Sequence, residues 1–179
     1  DQPRPPRVRQ RAADPAGLQF WIDQIDAGRA FNTIAADFAA SPEAEALYPY
    51  LVTPGVSNPT VFITSIYENL FNRAPDAAGL SFWSGVLADG TVSVADFIEA
   101  IINGAVDDPA EGTFDQTTLD NKVVVSLNFA DLASNIPGFE YDSAAATAAV
   151  EVLDGVTYDP TTVEAANAET VAFLFPEIA

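Results

Sequence analysis

The sequence RAPDAAGLSFWSGVLADG at residues 73–90 repeats an earlier one, RAADPAGLQFWIDQIDAG at residues 11–28. Nine of the eighteen aligned positions are identical, and they include both tryptophans of the chain, Trp21 and Trp83. Internal self-similarity at a fixed length is the sequence signature of a repeated structural unit. The sequence therefore predicts a tandem helical repeat domain over residues 11–106.

Each copy of this motif predicts a short, capped helix. Asp14 precedes Pro15, so its carboxylate can accept hydrogen bonds from the first free N–H groups while proline occupies the first helical position. Apolar residues then recur at helical spacing, and a glycine closes the helix. Aromatic residues beside Leu and Ile at this spacing are more typical of a core than of a ligand-binding cage, so we expect both Phe-Trp pairs to be buried. The apolar sets are Leu18, Trp21, Ile22 and Ile25 before Gly28, and Leu80, Trp83, Val86 and Leu87 before Gly90.

Further helix starts follow from the same kind of local signal. An acceptor side chain precedes proline at Ser41, Asn58 and Asp159, and Ser93 with Asp96 resembles a capping box. Residues 59–72 form a strongly amphipathic pattern that leads directly into the second motif copy.

The ten residues before the first copy, DQPRPPRVRQ, are rich in proline and arginine and cannot form an equivalent leading helix. We interpret residues 1–10 as an extended arm, with a partner strand or a sequence artefact as alternatives.

The second half of the chain also predicts helices. We expect an acidic linker over residues 107–115 and then a helical region over residues 116–179, with breaks at Pro137-Gly138 and Asp154-Gly155. The three consecutive valines at 123–125 keep helical spacing with their neighbours. The predicted fold class is all-α: a duplicated short-helix repeat followed by a helical C-terminal region, with helices near 116–134, 143–154 and 160–175.

The charge of the chain is large and unevenly distributed. The sequence contains 26 acidic and 7 basic residues, a net charge of −19. Residues 1–11 carry +3, from Asp1 and four arginines, and the remaining 168 residues carry −22. A polyanionic body repels phosphate backbones and anionic lipids, so we expect no nucleic acid partner. Because no run of about 18 apolar residues exists, we also expect no membrane insertion.

Composition argues against catalysis. The chain contains no Cys and no His, which removes thiolate nucleophiles, imidazole acid-base groups and the usual zinc ligands. There is no G-x-S-x-G motif and no phosphate-binding glycine loop, and Lys122, the single lysine, has no S-x-x-K motif near it. We therefore predict a protein that is not an enzyme and that has no organic cofactor.

Calcium is the ligand that the acidic linker suggests. The segment from Asp107 to Gly112 has Asp at a first and Gly at a sixth ligand position, as in an EF-hand. Pro109 and Thr118 occupy the third and twelfth positions, so the segment fails as an EF-hand. A looser calcium site remains a candidate, against the alternative of a solvated acidic linker, and its residues are Asp107, Asp108, Glu111 and Asp115.

The spaced string R-x-x-D-x-x-G-L-x-x-W resembles the bacterial domain of unknown function 4214 over roughly residues 11–105. The resemblance implies an all-helical domain similar to phycobilisome linker domains. It also implies an exported setting among surface-layer proteins and type I secretion substrates, and it brings no catalytic residues. The chain departs from the family pattern where the first leading helix is missing. The motif residues are Arg73, Asp76, Gly79, Leu80 and Trp83, with Arg11, Asp14, Gly17, Leu18 and Trp21 in the first copy.

The predicted function is a non-catalytic structural protein, secreted or at the cell surface, that forms a homo-oligomer or polymer through helical repeat contacts. In such an assembly the arm, with Arg4, Arg7 and Arg9, could lie against the acidic body of a neighbouring copy. The alternative is a monomeric module that recognises a surface glycan or lipopolysaccharide with or without calcium.

Overall fold

A computed structural model describes residues 11–54 and 58–177, which fall into two units. The first unit runs from Gln24 to Ala105, and the second combines the residues up to Asp23 with those from Val106 onward. The predicted arm, residues 1–10 with Arg4, Arg7 and Arg9, lies outside the described residues.

The first unit is helical, and its centre is aromatic. Phe62 stacks on Tyr50 with ring centroids 5.1 Å apart and contacts the fully buried Phe97 at 5.7 Å. Its helices are α2 (Phe31–Ala39), α3 (Pro42–Leu47), a 3-10 helix (Pro49–Val52), α4 (Thr60–Phe71), α5 (Ala77–Ala88) and α6 (Val94–Asn103). A preceding helix, α1 (Pro15–Asp26), begins in the second unit and ends in the first.

The second unit packs three helices around a core that includes Val125, Phe129 and Ala149. Ala12 joins this core: its N–H donates to the carbonyl of Ala149 at 2.7 Å, and the hydroxyl of Tyr141 donates to the carbonyl of Ala12 at 3.1 Å. The elements are β1 (Asp107–Asp108), β2 (Thr113–Phe114), α7 (Asp115–Ser134), α8 (Ser143–Asp154) and α9 (Pro160–Leu174). Within the described residues the sheet is limited to this two-stranded hairpin, so the all-α prediction is confirmed.

The predicted helix starts are confirmed in detail. The hydroxyl oxygen of Ser41 accepts from the N–H of Ala44 at 3.2 Å, and the carboxylate of Asp159 accepts from the N–H of Thr161 at 2.9 Å. At α4 the helix begins one residue later than predicted, since Pro59 is the N-cap residue.

Two segments differ from the sequence analysis. Residues 107–114, expected to be a linker, form an antiparallel hairpin that pairs Asp107 with Phe114 and turns through Gly112 at a φ of 72°. Helix α2 was not predicted, because its N-cap residue, Ala30, makes no side-chain hydrogen bond and leaves no capping signal. Among the described residues, no helix is long and apolar enough to cross a membrane.

The division into units also differs from the predicted domains. Residues 11–23 were assigned to the repeat domain on sequence grounds, whereas they group with the second unit. The contacts of Ala12 explain this, together with the N–H of Ala13, which donates to the hydroxyl oxygen of Ser126 at 2.9 Å. Such long-range backbone hydrogen bonds leave no local trace in the sequence.

Candidate interaction surfaces

The two motif copies build their helix ends in the same way. Asp14 accepts a hydrogen bond from the N–H of Gly17 at 2.7 Å, and Asp76 accepts from the N–H of Gly79 at 2.7 Å. Gly28 and Gly90 follow the two helices with φ values of 82° and 73°, in the left-handed region that favours glycine. The predicted caps and closing glycines are therefore confirmed in both copies.

The motif arginines lie over tyrosine rings. The Cζ atom of Arg11 is 5.2 Å from the ring centroid of Tyr141, and that of Arg73 is 5.5 Å from the centroid of Tyr67. A guanidinium over an aromatic face within about 6 Å is a cation–π contact. Each motif arginine therefore has a tyrosine ring as a partner.

The Phe-Trp pairs have matching geometry and unequal burial within each pair. Phe20 meets Trp21 edge to face at 5.0 Å, and Phe82 meets Trp83 in the same manner at 4.9 Å. The tryptophans are half-buried, whereas Phe20 is 52% and Phe82 57% exposed. The prediction that both pairs lie in the core is wrong for the phenylalanines, because adjacent helical residues point about 100° apart and only one of them can face inward.

The apolar face predicted for α1, the helix of the first copy, is not part of the core either. No residue of α1 is buried, and Ile22 and Ile25 are 38% and 55% exposed. In the second copy Leu87 is buried, and Trp83 packs edge to face on Phe97 at 5.1 Å. Helices α4 and α6 both contact α5, so the helix of the second copy has two helical neighbours.

Two of the calcium candidates, Asp107 and Asp108, accept local hydrogen bonds. The carboxylate of Asp107 accepts from the N–H of Thr117 at 3.0 Å and from the Thr117 hydroxyl, and these bonds lower the pKa of Asp107. Asp108 accepts from the N–H groups of Ala110 and Glu111 at 3.0 and 3.3 Å, and Asp115 is buried. Over residues 11–54 and 58–177, no three acidic side chains are grouped to hold a metal ion. Calcium binding stays a prediction.

A cleft that the sequence did not reveal lies within the first unit. It has a volume of about 440 Å³ and is bounded by α2, the 3-10 helix and the turn between α5 and α6. Glu45 is the charged residue in its lining, and Tyr50 at its wall donates from its hydroxyl to the carbonyl of Leu87 at 3.5 Å. This volume is in the range of small-ligand sites. Four alanines, Ala36, Ala39, Ala40 and Ala95, contribute to its lining.

The single lysine of the chain is buried in the second unit. Lys122 is 3% exposed and shares the inner side of α7 with Asp115 and Thr118, which are also buried. Burial lowers the pKa of Lys122 to about 8, and the charge of Asp154 opposes this shift. The sequence placed Lys122 in an apolar helix, and its helical spacing to Thr118 and Val125 was the available signal of burial.

The opposite side of α7 carries an exposed apolar patch. Val123, Val124 and Leu127 are 47%, 51% and 47% exposed, and they adjoin one another on the helix surface. Asp120 and Asp131, both exposed, lie one turn before and one turn after the patch. We call these five residues the outer face of α7. Sequence reasoning missed this surface because it treated apolar residues at helical spacing as core.

These features describe an all-helical domain with a capped Phe-Trp motif, in which the aspartate, glycine and tryptophan of the motif have structural roles. The family model described as Domain of unknown function (DUF4214) matches residues 53–105, so this part of the chain is similar to that family. The match covers α4 to α6 and the second motif copy. No curated protein and no solved structure matches the chain.

Proposed function

We propose that the protein is a non-catalytic structural protein, secreted or held at the cell surface, that assembles with copies of itself through helical contacts. The observation that carries the proposal is the paired exposure of Phe20 and Phe82, each more than half exposed and each braced against a half-buried tryptophan. Aromatic side chains are enriched in the buried parts of protein interfaces, so an exposed phenylalanine ring beside a half-buried tryptophan is a suitable contact point. A contact point that occurs twice in one chain is suited to repeated assembly.

The family and the charge support the extracellular part of the proposal. Residues 53–105 match the DUF4214 model, and the resemblance of the motif to that family implies an exported setting. A net charge of −19 favours solubility, and calcium ions could screen the carboxylates between assembled copies. Calcium is therefore included as a variable in the test.

The test is the particle mass and shape of the purified chain, measured by light scattering and negative-stain microscopy in millimolar calcium and then in chelator. We expect particles much larger than the 18.9 kDa monomer. The double variant F20S/F82S should reduce their mass, because it removes the exposed ring from both motif copies. The matched control is Val61→Ser, which changes a side chain that is 74% exposed on α4 and outside the motif. A monomer of the wild-type chain in every condition contradicts the proposal.

The cleft in the first unit favours a second candidate function, a recognition module for a surface glycan or lipopolysaccharide. Its volume of about 440 Å³ suits a sugar ring, and Glu45 offers a hydrogen-bond acceptor for hydroxyl groups. A glycan-binding screen on the monomeric chain tests this function. Binding that survives F20S/F82S but is lost on Glu45→Ala identifies the cleft as the site, and the absence of any bound glycan counts against it.

A further inference from the structure

The cleft of the first unit is lined mainly by apolar side chains. Ala36, Ala39 and Ala40 lie on one face of α2, because residues three and four apart are neighbours on a helix surface. Ala36 and Ala40 are exposed, so this face of α2 is open to a ligand. Larger apolar side chains are added to the lining by Leu51, Leu87, Val92 and Val94. A ligand that fills the cleft must therefore have an apolar body.

Three polar side chains line the cleft within the described residues, and two of them already have partners. The hydroxyl of Ser93 donates to the carboxylate of Asp96 at 2.7 Å and accepts from the N–H of Asp96 at 3.1 Å. The hydroxyl of Tyr50 donates to the carbonyl of Leu87 at 3.5 Å. The carboxylate of Glu45 is half-buried and makes no hydrogen bond or ion pair with any residue of the described ranges 11–54 and 58–177. Glu45 is therefore the side chain that can bind a polar group of a ligand.

The charges around the cleft favour a cation. No basic side chain of the described residues lines it, and Asp89 and Asp96, both exposed, are each adjacent in sequence to a lining residue. Residues 24–105 contain nine acidic and two basic side chains. Both basic side chains have partners, since Arg29 pairs with Asp37 and Arg73 lies over a tyrosine ring. The negative potential of such a site attracts positively charged ligands and repels anions.

An ammonium group on an apolar body matches this lining better than a neutral sugar does. A sugar carries hydroxyl groups on most sides of its ring, and each one that is covered without a hydrogen-bond partner weakens binding. An ammonium ligand needs partners only at its charged end, where Glu45 can accept a charge-assisted hydrogen bond. Its apolar body then removes the alanine face of α2 from water, which is favourable.

We propose that the cleft binds a small organic cation, an ammonium group on an apolar body, with the ammonium donating to the carboxylate of Glu45. The site lies wholly within the first unit, so binding does not require a second copy of the chain. The inference goes beyond self-assembly, and it gives the cleft a ligand of different chemistry from the sugar of the second candidate function.

The test compares two probes of nearly equal shape on the full-length chain. Tryptamine has an ammonium group on an apolar two-ring body, and tryptophol has a hydroxyl group in its place. Binding is followed by NMR chemical-shift changes of the backbone amides, which should be largest at Ala36, Ala40 and Gly90 in the lining. We expect tryptamine to bind about tenfold more tightly than tryptophol, the effect of one charge-assisted hydrogen bond. Added salt should weaken the binding of tryptamine alone.

Three variants test the contacts. Glu45→Gln should weaken tryptamine binding about tenfold and leave tryptophol binding unchanged, because it removes the charge and keeps the shape. The matched control is Glu43→Gln, which makes the same charge change at an exposed position of α3 outside the lining and should bind tryptamine like the wild type. Ala39→Leu narrows the cleft and should weaken the binding of both probes. Circular dichroism on each variant checks that the helices are retained.

The contrary outcomes are distinct from those that test the proposed functions. Absence of tryptamine binding overturns the inference, as does equal affinity for tryptamine and tryptophol. Equal loss of tryptamine affinity in Glu45→Gln and Glu43→Gln also overturns it, because the effect would then come from net charge. N-acetylglucosamine that binds in the cleft more tightly than tryptamine supports the glycan function and overturns the ammonium ligand. None of these results bears on self-assembly, which is measured by particle mass.

Discussion

The two copies of the motif have the same local structure and different surroundings. Both begin at an aspartate cap, both end at a glycine with positive φ, and both set a phenylalanine edge to face on a tryptophan. The second copy buries Leu87, whereas no residue of α1 is buried. The motif therefore determines its own helix ends, while neighbouring helices determine whether its apolar face becomes core.

The partners of the motif arginines show the same contrast. Arg73 lies over Tyr67, which belongs to α4, the helix just before the second copy. Arg11 lies over Tyr141, which is 130 residues away in sequence and belongs to the second unit. A distant part of the chain therefore provides the ring for the arginine of the first copy.

Of the substitutions that compare the two copies, removal of the Phe97 ring, on which Trp83 packs, should cause the largest loss of stability. Phe97 is fully buried and contacts both Phe62 and Trp83. Phe97→Ala should lower the free energy of unfolding of the first unit by about 3–5 kcal/mol, because it leaves a cavity in the core. The measurement is urea unfolding in a Trp21→Phe background, where Trp83 is the sole tryptophan.

The matched control for this change is Ile25→Ala on α1, where the side chain is 55% exposed. Substitutions at such positions usually change the free energy of unfolding by at most about 0.5 kcal/mol. A loss at Ile25 as large as that at Phe97 would show that the face of α1 is buried in solution, and the contrast between the copies would disappear.

Substitution of the closing glycines should cause the next largest loss of stability. The loss should be similar in both copies. An ideal Cβ at Gly28 or Gly90 would meet no other atom within 4 Å, so substitution adds no steric clash. Gly28→Ala and Gly90→Ala should each cost about 1–2 kcal/mol, because an L-residue resists positive φ. Thermal unfolding of the two variants tests this. The substitution Gly155→Ala is a control, since Gly155 follows α8 with a φ of −97°.

The capping aspartates should give a smaller effect that is again equal in the two copies. Asp14→Ala and Asp76→Ala each remove one acceptor for a helix N–H, which typically costs about 1 kcal/mol. Asp14→Asn and Asp76→Asn should retain most of the stability, since asparagine caps helices well. Unequal losses, measured by urea unfolding, would mean that the capping residues have roles beyond the helix start.

The sequence analysis predicted features that depend on a few neighbouring residues. Acceptor-proline pairs located the starts of α3 and α9, and the residue pattern placed the starts of α7 and α8 within one residue. It did not predict the hairpin at residues 107–114, the cleft or the exposure of Phe20. Those features depend on which helices pack together, and the spacing of apolar residues along one helix does not specify its neighbour.

The smallest expected effect lies at the turn after α5, at the residue before the closing glycine. Asp89 accepts from the N–H of Thr91 at 2.8 Å, whereas the equivalent position of the first copy is Ala27. Hydrogen bonds from the side chain and backbone of Thr91 lower the pKa of Asp89.

The contribution of Asp89 to stability is therefore present above the pKa of an ordinary aspartate and is lost as the pH falls through the lowered pKa. We expect a carboxyl NMR titration to give a pKa for Asp89 below 3.8, its ordinary value. Thr91→Val should raise that pKa part of the way, since the variant removes the hydroxyl and keeps the N–H. An ordinary pKa of 3.8 for Asp89 in the wild-type chain would show that the turn does not close through Thr91. The two copies would then end their helices with glycine alone.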